Sequence, residues 1–326
     1  MKGAVIGTGY MGKTHISILK KFLDTLVICS ADAETGEALA RECSGRFYGD
    51  YREMLEKEQL DFVSVCVPTY MHYSVVKEAL ERNIPVLCEK PFTLTEADAL
   101  ELYSLAKQRG VLLMVAHCLR FSRAYAYLKD CIADLRFGKL CSLQMFRNSA
   151  RPGWSPDNWF ANIERSGGIV RDLHIHDTDM AVNLLGVPEA VYTTGSDCCC
   201  TTVFSYPESV TVTATASWRG APAFPFSAGF DAVFENGCLV YEKDILTLYQ
   251  GDEQEEPLAQ AALPSALESD DMMENELRYF CHCLEQGAQP TLCQPAETVK
   301  TIFVSCAQSR SLAKECFEKV KIPSDL

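Results

Sequence analysis

Several things are scarce in this chain, and each scarcity removes a class of function. No apolar stretch approaches the length of a bilayer span, so a membrane-embedded protein is not expected. Basic residues are in deficit: 30 Lys and Arg stand against 44 Asp and Glu, a formal net charge of −14, which argues against nucleic acid or an anionic membrane as partner. The first residues, Met1-Lys2-Gly3, run straight into an apolar segment and leave no room for a signal peptide, so the cytoplasm is the expected location. None of the 16 cysteines forms a CxxC pair; Cys198-Cys199-Cys200 and Cys281-x-Cys283 lack zinc-ligand spacing, and Cys29, Cys66, Cys88 and Cys118 lie inside apolar runs as small hydrophobes. Free thiols and no structural metal are therefore expected. Internal repeats are absent as well. What remains is an ordinary globular composition, 48% hydrophobic and 23% charged over 326 residues, long enough for two domains.

The amino terminus supplies the first motif. An apolar run over residues 3–6 leads at once into Gly7-Thr8-Gly9-Tyr10-Met11-Gly12, and the segment 13–21 behind it reads as a helix. Strand, glycine turn and helix in this order make a dinucleotide site, because the glycines admit a tight turn and a close approach of backbone to pyrophosphate, while the helix end supplies N–H donors. A second strand over 25–30 ends near Asp32, about twenty residues past the turn, where an acidic side chain accepts the ribose hydroxyls. Asp32 also repels a 2′-phosphate, and no arginine follows over 33–40, so NAD rather than NADP is expected. The bland alternative is that Asp32 merely caps the helix starting near Glu34.

Strand and helix then keep alternating: a strand over 61–67, a helix over 72–82 stopped by Asn83, a strand over 84–88, a helix capped by Thr95 and ended by Gly110, and a strand over 111–116. Such alternation predicts a doubly wound parallel sheet, a Rossmann domain over residues 1–118. Ligands of open α/β sheets bind beyond the carboxyl ends of the strands. That places Lys90 of Glu89-Lys90-Pro91, and His117 after the last strand, at the crevice; from position alone Lys90 could equally be a solvated lysine.

From residue 119 the pattern changes to an α+β domain reaching residue 326. A helix over 125–135 and a strand over 140–146 precede an aromatic loop, 154–160, from which Trp159 is a candidate substrate contact. Residues 168–185 read as one helix opened by glycines, with Asp172, His176 and Asp179 on one face and His174 on another. His174 and His176, two apart, cannot comfortably share an ion, so an Asp/His acid-base face is preferred to a metal site. Later runs over 209–218, 226–234 and 239–249, with a hairpin at Asn236-Gly237, imply an antiparallel sheet. Residues 252–269 read as a surface excursion, and two helices, 270–286 and 295–318, close the chain against the sheet or the first domain.

Together, the glycine turn, Asp32, the stretch from Pro68 to His72, Glu89-Lys90-Pro91, and Gly167-Gly168 followed by Asp172, His176 and Asp179 resemble the family of glucose-fructose oxidoreductase and inositol dehydrogenase, over nearly the whole length. The resemblance implies NAD(P) bound on the Rossmann domain, with Pro68, His72, Glu89 and Lys90 joining Gly7, Thr8, Gly9, Tyr10, Met11, Gly12 and Asp32 at the cofactor. It implies Lys90, Asp172 and His176 as catalytic residues acting on a sugar or polyol, with His117, Trp159 and Asp172 toward the substrate. It also implies a homo-oligomer, dimer or tetramer, formed through the carboxy-terminal sheet. Ser166 departs from a common third glycine and His174 from the usual glycine between Asp172 and His176, so no one member's substrate carries over. A glycosidase working by transient oxidation and elimination, and a sensor that binds NAD without turnover, remain as alternatives.

Overall fold

Short apolar runs, each broken by glycine, proline or a capping residue, build the first of two sheets. The computed structural model describes residues 1–153, 156–207, 209–251, 253–254, 268–324 and 326; Trp154 of the aromatic loop and most of the 252–269 excursion lie outside them. The chain divides into one unit of Met1–Cys118, Glu164–Ser166 and Met273–Val299, and another of Leu119–Ile163, Gly167–Met272 and Lys300–Leu326.

In the first unit, β1 (Lys2–Ile6), β2 (Thr25–Cys29), β3 (Phe47–Tyr48), β4 (Phe62–Val65), β5 (Val86–Glu89) and β6 (Leu113–Ala116) pair in parallel in the order β3-β2-β1-β4-β5-β6. Every residue of β4, β5 and β6 is buried, as a parallel sheet covered on both faces requires. The connecting helices are α1 (Tyr10–Leu19), α2 (Ala33–Glu42), α3 (Tyr51–Lys57), α4 (Thr69–Glu81) and α5 (Glu96–Arg109). Asn83, at φ 60°, ends α4 and Gly110, at φ 65°, ends α5. The strand order reverses between β1 and β4, which makes their carboxyl ends the switch point where ligands of such sheets bind. Sequence reading passes over β3 and α3, which are too short to show a period.

The second unit opens with α6 (Arg123–Ala133) and β7 (Leu140–Ala150); the short helix α7 (Ile163–Ser166) belongs, from Glu164 on, to the first unit, and the short helix α8 (Gly168–Asp172) and then α9 (Ile175–Leu185) follow in the second. Its sheet adds β8 (Ala190–Gly195), β9 (Cys199–Ser205), β10 (Thr211–Arg219), β11 (Ser227–Phe234), β12 (Gly237–Glu242), β13 (Ile245–Gln250), β14 (Glu253–Gln254) and β15 (Glu318–Lys319). The nine strands lie in the order β14-β13-β12-β11-β7-β10-β9-β8-β15, antiparallel except where β7 meets β10. Leu128 of α6, Ala181 of α9, and Leu143, Phe204, Val212 and Phe230 of the strands share its core, which covers one face of the sheet.

Three expectations need correction here. Residues 168–185 form two helices, since Leu173 and His174 interrupt them: the Ile169 carbonyl accepts from both Leu173 N and His174 N, a wider loop than an α-turn. Gly237 pairs with Phe234 instead of turning the chain, so the turn is Glu235-Asn236. The run 239–249 is two strands joined at Lys243-Asp244, whose φ angles of 51° and 62° suit a two-residue hairpin.

Two helices close the chain, α10 (Met272–Gln286) and α11 (Pro295–Lys314). From Met273 onward α10 belongs to the first unit, where Phe280 packs edge-on against Phe62 at 5.4 Å between ring centroids and Glu274 pairs with Lys21 at 2.7 Å.

Candidate active site

The glycine turn of the first unit is shaped by two backbone approaches. Gly7 takes φ +103°, and a Cβ on Gly12 would lie 2.0 Å from the Gly7 carbonyl oxygen, so neither tolerates a side chain. A Cβ on Gly9 would meet nothing within 4 Å, so open space lies over the start of α1. Helix α1 has no side-chain cap and no acidic residue in its first turn, whereas Asp32, Asp50 and Thr95 cap α2, α3 and α5. Helix α4, entered through Pro68 and Thr69, is likewise without a side-chain cap. The two uncapped helices are those that follow β1 and β4, the strands at the switch point, so backbone N–H groups remain for an anionic group there. This donor set fits the pyrophosphate of a dinucleotide.

Asp32 closes β2 on an exposed position and does cap α2, accepting from Thr35 N at 3.2 Å; the Thr35 hydroxyl and amide hold its carboxyl below the usual range. Capping uses Oδ1, and the remaining lone pairs suit ribose hydroxyls, so the two readings of this residue are compatible. Thr8 and Ser30 hydroxyls meet at 2.6 Å between the turn and the end of β2. Tyr10, 64% exposed, and the half-buried Met11 occupy the first turn of α1.

Lys90 follows β5 and is partly exposed. Its amide donates to Glu89 Oε2 at 3.1 Å, while Glu89 Oε1 lies 3.0 Å from His15 Nε2. His15 also reaches Ser64 Oγ of β4, 2.7 Å from its Nδ1. Burial works against protonation of this ring, but the adjoining Cys66 and the bond and charge of Glu89 outweigh it and raise its pKa well above the ordinary value. Burial likewise opposes ionisation of Glu89, and His15 outweighs it. Glu89 therefore faces the interior and supports Lys90 from behind. His72, also buried, reaches Pro91 O at 2.8 Å and Val67 O at 2.9 Å, which ties the segments after β4 and β5 together. Thus Glu89 and His72, expected at the cofactor, hold the loops that carry Pro68 and Lys90. His117 is buried just past β6, its amide bonded to Val115 O at 2.9 Å.

In the second unit every residue of 169–182 is buried except Asp172 and His176. These two, at the end of α8 and the start of α9, are the side chains this stretch can offer to a substrate. Asp179 behaves otherwise, against the expectation of a shared face: it is fully buried, held by Arg120 Nε and Nη2 at 2.8 Å each and by Thr301 Oγ1 at 2.8 Å. Asp177 is buried on Arg147, with contacts of 2.9 and 3.2 Å, and burial raises its pKa against the pull of the guanidinium. Trp159 and Phe160 stack at 4.0 Å between centroids. Among the described residues no three His, Cys, Asp or Glu side chains cluster as a metal site would need.

Sequence reading missed His15, Arg120 and Arg147. His15 sits on the apolar face of α1 beside Ile16, where a polar side chain among hydrophobes is the available signal for a buried partner. The arginines give none, since each finds its aspartate far along the chain.

Residues 1–117 match the profile described as oxidoreductase family, NAD-binding Rossmann fold, and residues 125–240 match the GFO/IDH/MocA C-terminal domain. A 2,7-anhydro-N-acetylneuraminate hydratase from Mediterraneibacter gnavus is 32% identical over 199 residues, 60% of this chain and 52% of that protein. A myo-inositol 2-dehydrogenase from Thermotoga maritima is 32% identical over 203 residues, 60% of this chain and 58% of that protein. The chain thus spans little more than half the length of the curated relatives it matches. A levoglucosan dehydrogenase, solved with NADH and levoglucosan, shares the fold at a TM-score of 0.87, covering 99% of this chain and 100% of that one at 20% identity. With both domain profiles matched in order along its length, the chain belongs to the GFO/IDH/MocA oxidoreductase family, whose first domain is an NAD-binding Rossmann fold.

Proposed function

We propose that this protein is an NAD-dependent oxidoreductase that moves a hydride between the nicotinamide and a secondary hydroxyl, or the matching ketone, of a sugar, cyclitol or related polyol. The observation that carries the reading is the isolation of Asp172 and His176 as the two side chains not buried in 169–182. Bound NAD supplies the hydride acceptor. The glycine turn and the uncapped start of α1 hold the pyrophosphate, and Asp32 holds the ribose and disfavours NADP. His176 takes the hydroxyl proton as general base, Lys90 steadies the oxygen as negative charge grows, and Asp172 binds a neighbouring hydroxyl or orients Lys90. His117 and Trp159 are substrate-side residues in this reading.

The sheet of the second unit is the proposed surface for a homo-oligomer. Thr201, Val203, Thr213, Thr215 and Val233 lie on its face away from the core and offer small, uncharged side chains to a second copy. The 16 free thiols support a reducing compartment, the cytoplasm.

The hydratase among the relatives favours a second reading on the same residues, in which the substrate is oxidised only transiently, loses a neighbouring group, and is reduced again. A single assay separates the two. Purified protein with NAD is offered levoglucosan, myo-inositol and 2,7-anhydro-N-acetylneuraminate, together with a panel of common sugars and polyols, while NADH absorbance and product are followed. Steady NADH growth supports a dehydrogenase, and product without NADH supports the transient cycle. Tight NADH binding with every compound left unchanged overturns both and leaves a sensor.

A further inference from the structure

His174 occupies the joint between α8 and α9 and is completely buried. Its Nε2 lies 2.8 Å from Thr202 Oγ1 on β9, which also receives Gln308 Nε2 at 3.1 Å and meets Thr193 Oγ1 at 2.9 Å. Thr178 Oγ1 donates to Gln308 Oε1 at 3.0 Å, which turns the amide so that its NH2 faces Thr202. A hydroxyl has one proton and two lone pairs, so the remaining choice is which partner Thr202 donates to. The other ring nitrogen, Nδ1, is buried and finds no hydrogen-bond partner among the described residues. A hydrogen there would be an orphaned buried donor, which costs more than a bare lone pair. The protonated nitrogen is therefore Nε2, which donates to Thr202, and Thr202 donates onward to Thr193.

Burial first, and Arg147 second, push the His174 pKa down to about 3. A ring this hard to protonate does not accept the substrate's proton at neutral pH, and among the described residues no cluster of metal-ligating side chains surrounds it. What it does have is a fixed bond from the helix joint to strand β9 of the sheet. Its backbone supports the same joint: His174 N donates to Ile169 O at 2.9 Å, and His174 O accepts from the amides of Asp177 and Thr178. Glycine at this place would offer no side chain for such a tie.

We infer that His174 is a positioning residue: its bond to Thr202 sets the joint between α8 and α9, and with it the relative placement of Asp172 and His176. The inference rests on the reading of Asp172 and His176 as the substrate-facing pair. It is tested on the full-length protein with His174→Gly, which removes the tie, His174→Gln, which keeps an amide donor, and Thr202→Val, which removes the acceptor at constant shape. The His176 ring is titrated by NMR without substrate, NADH affinity is read by fluorescence, and kcat and KM are measured on whichever compound of the panel above is turned over.

In His174→Gly the His176 midpoint should move by at least about half a pH unit, since its charged surroundings shift. Its kcat should fall at least about tenfold, as a misplaced base does, with NADH affinity within about twofold. His174→Gln should recover most of both. A folded His174→Gly or Thr202→Val with His176 titrating as in the parent overturns the inference, as does His174→Gln lying no nearer the parent than His174→Gly. If His174→Gly does not fold, the His176 titration of Thr202→Val decides alone. If the parent turns over nothing in the panel, the function reading has failed, while the titration still reports whether His174 sets the joint.

Discussion

The two units each bury a histidine completely, and they treat it in opposite ways. In the first, His15 sits against Cys66 and the Glu89 carboxylate and rises well above its ordinary pKa; in the second, His174 sits near the Arg147 guanidinium and falls to about 3. Burial penalises the charged ring in both; at His15 the neighbours outweigh it, and at His174 the neighbour adds to it. The first unit stores a buried charge pair directly behind Lys90, and one carboxylate serves both the imidazole and the Lys90 amide. The second uses arginine for its buried carboxylates, Arg120 with Asp179 and Arg147 with Asp177, and keeps the ring between the partly exposed Asp172 and His176 neutral.

Breaking the arginine side of this contrast should give the largest effect. Arg120→Met leaves Asp179 buried and still bonded to the Thr301 hydroxyl but without its guanidinium, and removing one partner of such a pair typically costs about 3–5 kcal/mol. Urea unfolding measures it. Arg120→Met with Asp179→Leu should recover most of the loss, because an apolar pair of similar volume needs no compensation. A single variant as stable as the parent would show that Asp179 ionises poorly in place.

Next come the residues proposed as catalytic. Lys90→Met and His176→Ala should each bind NADH like the parent yet lose at least about a hundredfold in kcat, the usual range for a general base. The double variant should be little worse than either, since groups that act on one proton are not additive. Near-parental kcat in both single variants on the true substrate would remove the assignment. A smaller effect belongs to Asp32→Ser, where serine can still cap α2 but loses the charge that repels a 2′-phosphate. The preference for NADH over NADPH should narrow by about tenfold, and a parent that binds NADPH as tightly as NADH would contradict the premise.

The first unit was the more legible in sequence, for a physical reason. Its information is local: strand, glycine turn, helix and acidic strand end succeed one another within Gly3 to Asp32, and each β-run is bounded by its own stop signal. Asp172 and His176 were also legible, because helical spacing survives the break at Leu173 closely enough to keep both out of the core. Asp179 was not. Whether a carboxylate on a helix faces a ligand or a buried arginine depends on Arg120, fifty-nine positions away, and no periodicity encodes that partner. The break itself was equally hidden, since it arises from one carbonyl serving two amides and from a side chain bonded to a distant strand.

The finest test of the contrast is the pH dependence of stability, because the two histidines contribute with opposite sign. The His15 ring is raised in the folded state, so its contribution is complete below the ordinary value of 6.5 and is lost as pH climbs from there through the folded pKa. For His174 the folded pKa is about 3, so between pH 6.5 and 3 the unfolded chain takes a proton that the folded chain refuses, and stability falls as pH falls. Each site bends the profile by at most about 1.4 kcal/mol per pH unit. Urea unfolding at pH 5, 6.5 and 8 should therefore show His174→Gln flattening the acid limb, by about 2 kcal/mol between pH 6.5 and 5, with the alkaline limb untouched. His15→Gln should flatten the alkaline limb and leave the acid limb as steep as in the parent. Subtracting each variant's profile from the parent's removes the titration of all unaltered groups, so the difference reads one ring at a time. Two variants that flatten the same limb would mean that the neighbours do not set the two protonation states, and the contrast between the units would fail.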